Sequence, residues 1–101
     1  MTEDALRARV SSLRAEIDAL DDEIVTRLAA RARLSIALGH TKRALGRPLR
    51  DEAREAEVVA RLGADPPAPL SQAELAQIQR AIMQVCLEVQ TRAVAGGVTQ
   101  D

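Results

Sequence analysis

The sequence contains no phenylalanine, tyrosine or tryptophan, and it has a single cysteine, Cys86, and a single histidine, His40. One cysteine excludes an intramolecular disulfide and fits a reducing compartment. With one cysteine and one histidine, the sequence argues against a structural zinc site, whose ligands are mostly cysteines and histidines. We therefore expect a cytoplasmic protein that holds no metal.

Several other features are missing as well. No apolar run approaches the ~18 residues of a transmembrane helix, and the start MTEDALRARV mixes acids with arginines, unlike a signal peptide. The formal net charge of −1 argues against general affinity for nucleic acid. There is no glycine-rich phosphate loop and no nucleophile–base pair. These absences predict no membrane or nucleic-acid partner and no cofactor.

The longest feature is a helix-forming run from about Glu3 to about Leu45. Its first part carries apolar residues at intervals of three and four, which form one stripe along an α-helix. This N-terminal stripe consists of Leu6, Val10, Leu13, Ile17, Leu20, Ile24 and Leu28. Such a helix is about 60 Å long, whereas a domain of this size has a radius of gyration of about 13 Å. The stripe is therefore predicted to pack on a second chain.

Two further helices are predicted, which makes the fold class all-α with a long, a short and a long helix. Gly46 ends the first helix, and Pro48 suits the first turn of a second helix that runs to about Leu62. The third helix is expected from about Gln72 to Ala95. Its predicted core stripe is Leu75, Ile78, Ile82, Val85 and Val89, with Cys86 and Gln90 at the flank.

The domain organisation follows from these boundaries. Ser71 and Glu74 form a capping box at the start of the third helix, and Gly96-Gly97 is predicted to stop it. We expect one helical domain over residues 1–95 and a disordered tail over residues 96–101.

Cations replace the apolar residues in the second half of the first helix. Arg31 and Lys42 lie on one face, about 16 Å apart. Because buried cations need anionic partners, this face is predicted to bind a small polyanion. Arg14 is roughly 25 Å before Arg31, too far to join the same site easily. In an antiparallel pair of helices it would lie beside the partner's cationic half, which gives two equivalent sites.

Four groups of residues resemble the all-helical class of chorismate mutases over about residues 6 to 93. They are the run Leu13–Asp21, Arg31 with Lys42, the run Arg47–Glu55 and the pair Cys86-x-x-x-Gln90. Each is ordinary helical sequence by itself, but their joint order and spacing are specific. The resemblance implies an intertwined homodimer with two identical sites and the rearrangement of chorismate to prephenate in aromatic amino-acid biosynthesis.

The resemblance also implies the roles of the cationic and amide residues. Arg14 of the partner subunit and Arg31 would bind the two carboxylates of the substrate. Lys42 and Gln90 would face its ether oxygen.

The remaining site residues belong to the second and third helices. Glu55, helped by the backbone near Asp51, would hold the ring hydroxyl, and Arg54 would add positive potential and order the second helix. Asp51 alone would equally suit an ordinary helix-start acid paired with Arg54. Cys86 stands where a serine is often found, and a thiol is a weak donor, so a contact to a carboxylate is lost there or passes to water. Cys86 alone is more typical of a small buried residue.

Alternatives remain at this point. The same fold would suit a 4-amino-4-deoxychorismate mutase or an isochorismate pyruvate-lyase. The amino analogue stays open because a carboxylate at Glu55 holds an ammonium at least as well as a hydroxyl. A non-catalytic helical dimer, acting as an adaptor or regulator, is the alternative from another class. A partner enzyme of aromatic biosynthesis is compatible with every one of these interpretations.

Overall fold

A computed structural model describes residues 1–96, and within that range it contains three helices and no strand. Helix α1 spans Glu3–Ala44, α2 spans Glu52–Gly63 and α3 spans Gln72–Gly96. The predicted all-α class and the order of long, short and long helices are confirmed. The expected tail lies outside the described residues, apart from Gly96, which closes α3. The chain divides into two units, one over Met1–Ala30 and one from Arg31 onward.

Both ends of α1 are capped, the C-terminal one at Gly46 as the sequence indicates. Thr2 Oγ1 accepts a backbone N–H of the first turn at 3.1 Å. At the other end Gly46 takes φ 70°, a left-handed conformation that glycine adopts without strain. Its N–H donates to the carbonyl of Arg43 at 3.0 Å, and the N–H of Arg47 donates to that of Lys42 at 2.9 Å. This double hydrogen bond is a Schellman motif and ends the helix.

The Met1–Ala30 unit consists almost wholly of the first part of α1. Every member of the N-terminal stripe is exposed, from 36% at Leu28 to 57% at Leu20. This unit therefore has no apolar core of its own. Exposed apolar residues in a continuous row are typical of an interaction surface.

Helix α2 begins later than the sequence prediction. The predicted start at Pro48 is wrong, because residues 48–51 form a loop and the first helical residue is Glu52. Asp51 is the N-cap, with extended backbone angles (φ −129°, ψ 91°), and its carboxylate accepts the backbone N–H of Arg54 at 3.0 Å. A side-chain cap satisfies a free N–H of the first turn, which the proline ring cannot do.

Helix α3 starts at its predicted capping box. Ser71 Oγ accepts the N–H of Glu74 at 3.1 Å, and Glu74 Oε1 accepts the N–H of Ser71 at 2.9 Å. These hydrogen bonds, first the one from the Ser71 backbone, lower the pKa of Glu74. The predicted core stripe is partly wrong, since Ile78 and Val85 are 48% and 56% exposed.

The core of the second unit is centred on the flank of α3 that carries Cys86 and Gln90, while Leu75, Ile82 and Val89 of the predicted stripe are half-buried. Its buried apolar residues are Val58, Met83, Cys86, Ala93 and Val94. The C-terminal part of α1 packs here, and Arg43 Nη1 donates to the carbonyl of Val94 at 2.8 Å, near the end of α3. A cation at this position satisfies a terminal carbonyl and suits the helix dipole. None of the described helices combines the length and apolar character that a membrane span requires.

Candidate active site

A cavity of about 280 Å³ lies within the second unit, between the C-terminal part of α1, the loop before α2, and helices α2 and α3. Every candidate residue except Arg14 lines it. These residues are Arg31, Lys42, Asp51, Arg54, Glu55, Cys86 and Gln90. Arg14 belongs to the other unit. The fold thus brings together residues that are up to 59 positions apart in the sequence.

Gln90 is the most deeply buried polar residue of this cavity, with 3% of its surface exposed. Its Nε2 donates to the backbone carbonyl of Ser35 at 2.7 Å. A carbonyl oxygen only accepts, so this contact requires the amide nitrogen, and not the amide oxygen, to face Ser35. One amide hydrogen is used, and the second can donate to a molecule in the cavity.

Gly39 allows Gln90 to come this close to α1. Among the residues of α1, Gly39 alone is buried. A Cβ added at Gly39 would overlap Cγ of Gln90 and would lie 3.0 Å from Cγ2 of Val94. Any larger residue would push the amide away from Ser35.

Lys42 is a cation that α1 contributes to the cavity. Its Nζ donates to the backbone carbonyl of Leu49 at 2.8 Å in a partly buried position. An ammonium has three donors, so two remain for a ligand. The same hydrogen bond fixes the loop before α2, which carries Asp51.

Asp51 and Arg54 are both more exposed than the other site residues. The Asp51 carboxylate is occupied by its cap on α2, and Arg54 Nη1 pairs with Glu57 on the solvent side. The Arg54 side chain is 56% exposed. In this arrangement Arg54 contributes positive potential, whereas Asp51 orders the start of α2.

Glu55 has a cation beside it that the sequence analysis missed. Arg50 Nε donates to Glu55 Oε2 at 3.3 Å, and Arg50 also lines the cavity. The position of Arg50 in the Arg47–Glu55 run, directly before Asp51, could have marked it as a site residue. Gly39 was missed too, although a glycine inside a helix costs about 1 kcal/mol relative to alanine and therefore calls for a packing reason.

The electrostatic balance of the lining favours an anion. Four cationic side chains, those of Arg31, Lys42, Arg50 and Arg54, face two carboxylates. The remaining lining is mainly aliphatic, with Leu34, Leu38, Leu49, Val58, Met83 and Leu87. Within residues 1–96 no group of histidine, cysteine, aspartate and glutamate side chains is arranged to hold a metal ion. The cavity can bind a small, partly apolar dianion and can donate hydrogen bonds to it.

Comparison with known proteins gives a consistent picture. The family model of chorismate mutase type II matches residues 13–91. Form II of the chorismate mutase of Thermus thermophilus is similar with a TM-score of 0.80 and 32% identity, covering 83% of this chain and 96% of that chain. Form I of the same enzyme is similar with a TM-score of 0.74 and 32% identity, covering 77% of this chain and 98% of that chain. Curated protein sequences gave no match.

Proposed function

The chain belongs to the chorismate mutase type II family, an isomerase family, and we propose that it rearranges chorismate to prephenate in the cavity between α1, α2 and α3. The observation that supports this cavity as the site of the reaction is the pair Lys42 and Gln90. Both line the cavity, both are held by backbone carbonyls, and both retain spare donors.

The chemistry requires little more than positioned donors. In one step the ether carbon–oxygen bond of chorismate breaks, a carbon–carbon bond forms, and negative charge gathers on the ether oxygen in the transition state. Lys42 and Gln90 donate to that oxygen, and they do so more strongly as its charge grows. Because both side chains are already tied in place, little reorganisation accompanies the reaction. No covalent intermediate is involved.

Binding of the two carboxylates falls to arginines. Arg31 lines the cavity beside the apolar wall, and we propose that Arg14 of the partner subunit supplies the second guanidinium. A planar guanidinium matches a carboxylate with two hydrogen bonds. Together the arginines hold the compact conformer in which the reacting carbons approach each other. Glu55 accepts a hydrogen bond from the ring hydroxyl, and Asp51 keeps the start of α2 in place. Cys86 completes the cavity wall near a carboxylate of the substrate.

The homodimer in this proposal is supported by the exposed N-terminal stripe. Packing of two such stripes would bury apolar residues that one chain leaves in water. Light scattering at micromolar concentration should give the mass of a dimer. A folded, monodisperse monomer would contradict the shared site.

The cellular role follows from the same assignment. We propose a place in aromatic amino-acid biosynthesis in the cytoplasm, with the free Cys86 reduced. Regulation by a partner enzyme of that pathway is compatible with the exposed helix faces.

The assay that tests the function is direct. Purified protein is incubated with chorismate, isochorismate or 4-amino-4-deoxychorismate, and the products are separated and identified. We expect prephenate from chorismate and no pyruvate from isochorismate. Lys42→Ala should lower kcat by at least about 10²-fold, whereas Arg47→Ala, outside the cavity, should not. Absence of prephenate with folded protein would contradict the proposal. Turnover of one of the other two substrates would then favour the corresponding enzyme, and turnover of none would favour a non-catalytic dimer.

A further inference from the structure

Arg50 pairs with the carboxylate that forms one end of the cavity. Its Nε donates to Glu55 Oε2 at 3.3 Å, and its Nη1 lies 3.6 Å from Glu52 Oε1. The Arg50 side chain is 60% exposed, whereas that of Glu55 is 30% exposed. The guanidinium engages Oε2 of Glu55 in the cavity that both side chains line, and a ligand can use Oε1 as its acceptor.

This contact changes what the Glu55 end of the cavity attracts. A lone carboxylate in a half-buried site favours a cation, because the charges attract without a nearby counter-ion. With a guanidinium at 3.3 Å the negative charge is compensated, and an incoming ammonium is also repelled by Arg50. A hydroxyl carries no net charge, so its hydrogen bond to Oε1 does not suffer that repulsion.

We propose that the Arg50–Glu55 ion pair makes this site select a substrate with a neutral hydroxyl at the ring position that faces Glu55, over one with an ammonium there. The inference rests on the proposed function, since it assumes that Glu55 faces the ring substituent. Arg50 acts through Glu55 and is a positioning and specificity residue. Specificity of this kind comes from a repulsive element against the competitor.

The test compares chorismate with 4-amino-4-deoxychorismate in three proteins. In Arg50→Gln the ratio of kcat/KM for the amino substrate to that for chorismate should rise about threefold to fivefold, mainly through a lower KM for the amino substrate. The effect is modest because a half-exposed pair is screened by solvent. Arg47→Gln removes the same charge from the same loop but does not line the cavity, and it should leave the ratio as in the wild type.

A double-mutant cycle separates the pair from a general effect of charge. In a Glu55→Gln background, removal of Arg50 should raise the ratio less than it does in the wild type, since it relieves only the direct repulsion between Arg50 and the ammonium and no carboxylate is left to unmask. Arg50→Lys should keep most of the discrimination, because an ammonium can replace the guanidinium as the counter-ion. Melting temperatures of all the variants verify that the fold is retained.

Two results would overturn the inference. One is a ratio within twofold of the wild type in Arg50→Gln, and the other is an equal rise in Arg47→Gln. Dissociation constants of both substrates, measured by calorimetry in a Lys42→Ala background where turnover is slow, test the same preference at the level of binding. If the wild type bound both but formed no prephenate, the proposed function would fail, whereas the selectivity would still be decided by this binding ratio.

Discussion

The side-chain amide of Gln90 on α3 donates a hydrogen bond to the backbone carbonyl of Ser35 on α1 at 2.7 Å. The contact joins the two walls of the cavity and fixes which atom of the amide faces which helix. A donor held in place before the substrate arrives stabilises developing charge without reorganisation. The orientation of Gln90 is therefore a property of the packing between α1 and α3.

Gly39→Ala should disturb this packing and reduce catalysis. The new Cβ would overlap Cγ of Gln90, so the amide must shift away from Ser35. A displacement of about 1 Å at a reacting group costs on the order of 10²-fold in rate. We expect kcat to fall by about 10- to 100-fold while the helix content in circular dichroism stays the same.

Gly63→Ala is the matched control for this change. A Cβ at Gly63 would lie 2.9 Å from Cγ of Gln72, a flexible side chain that can move aside. This variant should keep nearly full activity. Wild-type kcat in Gly39→Ala would mean that the close approach of Gln90 is not needed for turnover.

Replacement of Gln90 by glutamate should make the rate depend on pH. An amide donates at every pH, so the wild-type rate should be nearly flat between about pH 5 and 8, whereas a carboxyl donates only when protonated. In Gln90→Glu the ionised carboxylate would repel both the Ser35 carbonyl and the ether oxygen. Once that group is ionised, activity should fall about tenfold per pH unit.

The recovery of Gln90→Glu at acid pH should be incomplete. A protonated carboxyl has one O–H, for which Ser35 and the substrate compete. Gln77→Glu places the same charge on an exposed part of α3 and should leave the profile flat. If Gln90→Glu had a flat pH–rate profile and the wild-type rate at pH 8, Gln90 would not contact the reacting atoms.

Cys86 offers a gain-of-contact test. The thiol is buried, with 6% exposed, and lines the cavity. In Cys86→Ser a hydroxyl would replace a weak donor, and a hydrogen bond to a charged carboxylate contributes about 1.5–3 kcal/mol. We expect KM for chorismate to fall by about tenfold, with kcat little changed. Cys86→Ala, which has no donor, should not lower KM, and an equal fall in both variants would rule out a contact to the carboxylate.

Much of the fold could be predicted because its signals are local. Thr2, Gly46 and the capping box of Ser71 and Glu74 each mark a helix end through neighbours within five positions. The predicted start of α2 was wrong because it was placed at Pro48, a residue typical of a first helical turn, and not after the cap at Asp51. In the structure, the tie between Lys42 and Leu49 holds that loop, and such a tertiary contact leaves no local sequence pattern.

The site could be predicted as a set of residues but not as a geometry. The charge pattern of the first helix supplied Arg14, Arg31 and Lys42, and the resemblance supplied the other candidates. The cavity is lined by those that lie beyond residue 30. The roles of Ser35 and Gly39 could not be derived, because they depend on where α3 crosses α1. The centre of the buried face of α3 was also misassigned, because the apolar residues of that helix spread over a broad arc and only packing decides which part of the arc is buried.

The shared site is the central claim, and a mixing experiment tests it most directly. Arg14→Ala and Lys42→Ala chains should each be nearly inactive as homodimers. When they are refolded together, half of the dimers should be mixed, and each mixed dimer should carry one intact site. Activity should therefore return to about a quarter of the wild type.

The control mixes Lys42→Ala with Gln90→Ala, two changes in the same chain's part of the site. No mixed dimer then has an intact site, and no activity should return. Native mass spectrometry measures the fraction of mixed dimers in both experiments. Recovery to about a quarter in the first mixture and none in the second is the predicted result. Absence of recovery in the first mixture, with mixed dimers present, would contradict the contribution of Arg14 from the partner subunit.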